Sequence, residues 1–167
     1  MELLDIVDEN GNYTGEVVER SVAQKFNLLH YEVIIIPVND NKQILLQKRS
    51  KNKKYFPNKW TFSSGLVISK ETLDDAAIRE TKEELGITIS KNDLKVLEEN
   101  INMTRFYYFF CNKKENEFTI QESELSSVKW YDILDVIKKV SNKDDSIIIK
   151  ESRLYLLERL YNILNKK

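Results

Sequence analysis

The stretch from Gly65 to Ile87, GLVISKETLDDAAIRETKEELGI, limits the possible folds of this chain more than any other segment. Thr72 and Asp75 stand at capping spacing, residues 73–85 hold no Gly or Pro, and Gly86 suits the left-handed residue that ends a helix. A helix is therefore predicted over Leu73–Leu85. Leu73, Ala76, Ala77, Thr81 and Leu85 give it a modestly apolar face. Glu80, Glu83 and Glu84 stand at i, i+3 and i+4, so their carboxylates emerge on one side of the last turns. Like charges at that spacing cost an isolated helix about 0.2–0.5 kcal/mol, and the negative end of the helix dipole adds to the cost. A hard divalent cation reverses it, because Mg2+ takes carboxylate, water and substrate phosphate oxygens together. Taken alone, three glutamates also read as a solvated acidic face.

The wider spacing adds to those glutamates. Gly65, Glu71, Arg79, Glu80, Glu83, Glu84, Gly86 and Ile87 follow G-x5-E-x7-R-E-U-x-E-E-x-G-U, which resembles the Nudix box at eight of its nine specified positions. The ninth, the apolar position U after Glu80, is Thr81. The resemblance implies an α/β fold, a Nudix-like α/β/α sandwich with a mixed sheet, and an enzyme that hydrolyses diphosphate linkages. It further implies Mg2+ or Mn2+ held by Glu80, Glu83 and Glu84, with the carbonyl of Gly65 as a further ligand. Glu71 and Arg79 would brace the loop and helix; by spacing alone Arg79 is an ordinary helix neighbour of Asp75 or Glu83. Many Nudix enzymes add a glutamate from a later loop about six residues before a tryptophan. Glu124 stands six before Trp130, with Glu122 in reserve. The general base is one of the box glutamates or Glu124.

Other stretches narrow the resemblance. LLDIVDENGNYTGEVVER, Leu28-Leu29-His30, Leu45-Leu46-Gln47-Lys48-Arg49-Ser50, Phe56-Pro57 and Trp60 look like the Nudix subgroup related to isopentenyl-diphosphate isomerase. Those isomerases use a cysteine a few residues after the tryptophan and a histidine-rich metal site. Here Trp60 is followed by Thr61-Phe62-Ser63-Ser64-Gly65, Cys111 lies far along the chain, and His30 is the only histidine. Isomerisation is therefore disfavoured, and a hydrolase is expected, with a retired Nudix binding module as the third class. The subgroup usually has Gly before the first glutamate of the box and often His after its first glycine. This chain has Lys70 and Leu66.

For substrate contacts, Lys48, Arg49, Lys51, Lys53 and Lys54 form a basic loop that could receive phosphates. Arg49 is the first choice, because its planar fork suits phosphate oxygens. A solvated lysine-rich loop is the bland reading. Trp60, Phe56, Tyr107 or Tyr108 could stack on a base, although strand aromatics are usually core. Arrays associated with NADH, ADP-ribose or coenzyme A substrates in other Nudix subgroups do not appear, which leaves nucleoside di- or triphosphates or related nucleoside diphosphate derivatives as the expected small-molecule phosphoanhydride.

Lys+Arg 26 against Asp+Glu 27 leaves a net charge of -1, so nothing global argues for stable nucleic-acid binding or a membrane surface. One cysteine excludes an internal disulfide. With an acidic N-terminus and apolar runs near six residues, a cytoplasmic protein is expected. At 167 residues, with four glycines, two prolines and no linker-like segment, one domain over 1–167 is expected. The Nudix resemblance adds a homodimer as a frequent assembly.

Along the chain, strands are predicted at Leu3–Asp8 and Tyr13–Val18 as an N-terminal hairpin, then at Tyr31–Val38, Gln43–Arg49, Leu94–Asn102 and Thr104–Asn112. Short helices are predicted at Ser21–Asn27 and Ile133–Val140. Ile148, Leu154, Leu157, Leu160, Tyr161 and Leu164 predict a closing amphipathic helix over Ile147–Leu164.

Overall fold

Strand alternation and turn chemistry place most elements within a residue or two of expectation. The computed structural model describes residues 1–166, with the backbone alone at residues 100 and 101. In chain order the elements are β1 (Leu3–Val7), β2 (Tyr13–Glu19), α1 (Arg20–Phe26), β3 (Glu32–Val38), β4 (Gln43–Arg49), β5 (Trp60–Thr61) and β6 (Ser63–Leu66). They continue with α2 (Leu73–Leu85), β7 (Lys95–Ile101), β8 (Thr104–Phe110), β9 (Leu125–Asp132), α3 (Ile133–Ser141) and α4 (Leu154–Asn165). Among the described residues no helix is long and apolar enough to cross a membrane.

β3 organises the main sheet. Its β-branched run pairs in parallel with β8 from Glu32 opposite Thr104 to Val38 opposite Phe110. On its other edge the first half pairs antiparallel with β6, while its end turns into β4, which pairs with β9 and β5. The sheet is therefore mixed, and β1 and β2 form a separate hairpin.

Because side chains alternate along a strand, the two faces of the sheet bury two cores. Val33, Ile35, Leu45, Tyr107 and Phe109 meet Ala76, Ala77 and Leu85 of α2. On the opposite face Ile36, Ile44, Leu46 and Phe106 meet Ile133 and Val136 of α3 and Leu156, Leu157 and Leu160 of α4. This is the expected α/β/α sandwich.

Helix α2 has the predicted ends. The Thr72 hydroxyl accepts from Asp75 N at 3.1 Å, and Gly86 closes the helix at φ 68°. A Cβ on Gly86 would also come within 2.7 Å of Thr119 Cβ, so only glycine fits. Thr81 meets the apolar requirement of its position by burying completely and donating its hydroxyl to Ala77 O at 2.7 Å, which leaves its methyl to the core.

Two expectations are corrected. The closing helix starts at Leu154, not Ile147. Ile147 and Ile149 are buried and the chain runs extended beside β5, with Trp60 N donating to Ser146 O and Ile148 N to Trp60 O. Three β-branched residues in a row take that path more readily than a helical one. Residues 60–66, for which no strand was predicted, form β5 and β6, two and four residues long.

Candidate active site

The route to the site begins with the loop before α2. Asp5 of the hairpin accepts from Ser69 Oγ at 2.7 Å and Lys70 N at 3.0 Å, and Ser69 N donates to Leu3 O. Held this way, Lys70 sits at φ 69°, a left-handed conformation that costs a side-chain-bearing residue about 1–2 kcal/mol. Lys70 thus keeps the backbone shape that glycine would favour, and its side chain is exposed and does not line the cavity described below. Lys70→Gly is expected to stabilise the fold by roughly 0.5 kcal/mol, strain relief being partly offset by chain entropy. Urea denaturation measures it, and a loss of stability would contradict the strain.

The next residue, Glu71, anchors the loop to the helix. Its carboxylate accepts from Arg79 Nε at 2.8 Å and Arg79 NH2 at 3.0 Å, a two-point fork, and from Ile68 N at 3.2 Å. Arg79 also donates to Leu66 O at 3.0 Å, to Glu80 at 2.6 Å and to Glu83 at 3.3 Å. Asp75 pairs with Lys91 instead. These bonds hold the Arg79 guanidinium firmly protonated, Glu71 contributing most. Breaking one partner of such a partly buried cluster generally costs about 3 kcal/mol or more.

Beyond this brace lies a cavity of about 360 Å³ lined by Glu80, Glu83, Glu84, Gly65, Glu124 and Arg49, among others. Its glutamates have unequal environments. Glu83 is half exposed. Glu80 lies against Gly65, and burial pushes its carboxyl up despite the opposing pull of Arg79. Glu84 is 7% exposed and accepts from Ser63 Oγ. Desolvation, reinforced by Glu80 and Glu124, pushes it up to about 7, while Ser63 and Gln47 oppose the shift.

Glu124 reaches the cavity because Thr119 N and Gln121 N donate to Leu85 O and Glu84 O, which carries the returning chain past the end of α2. Its carboxylate pairs with Lys53 Nζ at 2.5 Å. Glu122, the reserve choice, does not line the cavity.

Of the sequence-predicted contact residues, Arg49 and Lys53 line the cavity, while Lys48, Lys51, Lys54, Phe56, Trp60, Tyr107 and Tyr108 do not. Trp60 meets Tyr131 edge to face at 5.5 Å, and Lys48 Nζ stands 5.9 Å over the Trp60 ring. Neither lines the cavity, whereas Arg49 does, its Nε held by Tyr55 O at 3.1 Å. Tyr107 is buried, Tyr108 packs in the core and Phe56 is exposed. Cys111 packs on the α2 face, and His30 Nδ1 stands 2.8 Å from Leu28 O; neither lines the cavity. Sequence reasoning missed Ser63, Gln47 and Glu32, because a serine, a glutamine or a glutamate on a strand carries no spacing signal.

The donor set suits a hard divalent cation. Glu84 is a buried carboxylate with no cationic partner among the described residues, and the buried Gln47 Oε1 beside it has no hydrogen-bond donor. No three acidic, histidine or cysteine side chains converge into a ready cage among the described residues. Mg2+ seldom uses such a cage, taking one or two carboxylates and completing its shell with water and substrate oxygens.

The NUDIX domain model matches residues 28–150. An uncharacterized Nudix hydrolase of Listeria innocua is 33% identical over 134 residues, covering 78% of this chain and 79% of its own. Isopentenyl-diphosphate Delta-isomerase 2 of Photorhabdus laumondii is 27% identical over 151 residues, covering 86% and 85%. A protein of Deinococcus radiodurans known from its crystal structure superposes with TM-score 0.77 at 22% identity, over 96% of this chain and 99% of that one.

Proposed function

The chain belongs to the NUDIX domain family, and from that premise we propose that residues 1–167 act as one divalent-metal-dependent hydrolase that cleaves a diphosphate linkage in a nucleoside diphosphate derivative. One observation carries the reading: a single cavity gathers Glu80, Glu83, Glu84 and Glu124 with Arg49 and Lys53, and its most buried carboxylate, Glu84, has no cation among the described residues to neutralise it. One to three Mg2+ or Mn2+ ions, each on one or two of the Glu80, Glu83 and Glu84 carboxylates with the Gly65 carbonyl as a further ligand, would screen phosphate charge, orient the diphosphate and acidify water.

The chain's own groups do the rest. Arg49 and Lys53 attract the phosphates electrostatically. Arg79 holds Glu80 and Glu83 through one guanidinium and ties them to Glu71. Glu124, which the returning chain carries into the cavity past the end of α2, takes the proton of the attacking water. The water oxygen bonds to phosphorus as the bridging P–O bond breaks, and the leaving phosphate departs with that electron pair. The isomerase reading finds no chemical support, because neither Cys111 nor His30 faces the cavity.

The test is diphosphate cleavage of nucleoside di- and triphosphates, nucleotide sugars, ADP-ribose, NADH, coenzyme A and isopentenyl diphosphate, read as phosphate or pyrophosphate released directly or as phosphate freed from the phosphomonoester products by a phosphatase, with Mg2+ or Mn2+, beside Glu83→Gln and Glu84→Gln. Turnover that requires metal and is lost in both variants supports the hydrolase. Turnover without metal, or equal in wild type and variants, would overturn it.

A further inference from the structure

A second cavity, of about 280 Å³, adjoins the first. The two share Glu32, Thr61, Ser64 and Ile148, so they are neighbouring chambers with a common wall of three polar side chains and one isoleucine. The second chamber also takes in Ile34, Phe62 and Ile149 from the sheet and the extended segment, with Lys150 and Arg153 just before α4. Arg153 is held in place over the Phe106 ring, 4.8 Å from its centroid.

Glu32 is the group that the hydrolytic chemistry leaves unused. It stands at the start of β3, partly buried, with no ion pair within 4 Å among the described residues. Burial pushes its carboxyl up, while His30, Arg153 and Lys150 from a distance and the neighbouring Ser64 hydroxyl favour its charge. Buried polar groups are expensive unless satisfied, so an acceptor at the junction of two chambers favours a ligand that brings hydrogen-bond donors.

The apolar walls fit the face of a flat ring. A hydrocarbon chain would have to desolvate Glu32, Lys150 and Arg153 together without pairing any of them. An unsaturated heterocycle with an amine at its edge satisfies both the walls and the carboxylate, as glutamate accepting from the exocyclic amine of cytosine does elsewhere.

We propose that this second chamber receives the base of a nucleoside diphosphate, and that Glu32 selects an amine-bearing base over its carbonyl counterpart. The inference rests on the hydrolase reading for its substrate class, yet it concerns binding and can be tested apart from turnover. Site-resolved methyl NMR of the protein, titrated with CMP and with UMP, reads it directly. CMP is expected to shift the Ile34 and Ile149 methyls, which line the second chamber alone, and to bind about tenfold or more tightly than UMP, with that preference collapsing in Glu32→Gln. Shifts of equal midpoint for CMP and UMP, shifts confined to the first cavity, or no shifts at millimolar nucleotide would overturn it. Should Glu32→Gln not fold, the wild-type comparison decides alone. Failure of hydrolysis with the CMP preference intact would sink the hydrolase reading and leave this chamber standing; turnover without that preference would do the reverse.

Discussion

Glu84→Gln is expected to make the metal-free protein more stable at pH 8 while lowering metal-dependent turnover by at least about a hundredfold. Burial pushes the Glu84 carboxyl up to about 7 in the fold, from an ordinary glutamate value near 4.5. The folded state therefore binds this proton more tightly than the unfolded chain does, and stability falls as pH rises from about 4.5 through about 7. At 1.36 kcal/mol per pKa unit the loss is on the order of 3 kcal/mol, complete by pH 8. Glutamine keeps the shape, can hydrogen-bond to Ser63, and never ionises. Denaturant unfolding at pH 5 and pH 8 without metal measures the effect: the wild type should weaken between the two and Glu84→Gln should not. Added divalent cation should restore the wild type alone. A variant less stable than wild type at pH 8, or one that keeps full turnover, would remove Glu84 from its assigned place.

Gly65→Ala is expected to cost about 1–3 kcal/mol and to lower turnover and metal affinity at least tenfold. Gly65 does not have a left-handed backbone; the constraint is space, because a Cβ there would overlap Cδ, Oε1 and Cγ of Glu80. Glu80 would have to leave both Arg79 and the cavity wall. Gly15→Ala separates this from ordinary destabilisation. Gly15 has φ +85° and nothing within 4 Å of its absent Cβ, so that variant should lose about 1 kcal/mol of stability and keep wild-type turnover. Metal titration and turnover at saturating metal check both. Wild-type turnover in Gly65→Ala would show that Glu80 need not lie where it does.

How much of this could be read from residues alone depended on whether the information was local. The ends of α2 were legible because Thr72, Asp75 and Gly86 each carry a capping geometry of their own. The Arg79 brace followed from a family spacing, while spacing alone left Arg79 free to pair with Asp75, which Lys91 takes instead. The closing helix was read seven residues too early, since Ile148 fits a helical repeat and only its pairing with Trp60 makes it extended. Strands β5 and β6 are too short and polar to announce themselves. Ser63 and Glu32 became visible only when β6 was laid beside β3 and α2. Glu124 reached the cavity through backbone bonds to the end of α2, a long-range relation that the distance to Trp130 marks only by family habit.

The proposed chemistry requires the α2 glutamates to hold a divalent cation at the cavity beside Gly65. Anomalous diffraction from crystals soaked in millimolar Mn2+ tests it most directly. The expected result is a peak within ligand distance of carboxylate oxygens from Glu80, Glu83 or Glu84, absent in Glu84→Gln crystals treated alike. A cavity without a peak at that concentration, or a metal bound elsewhere on the protein, would contradict the account.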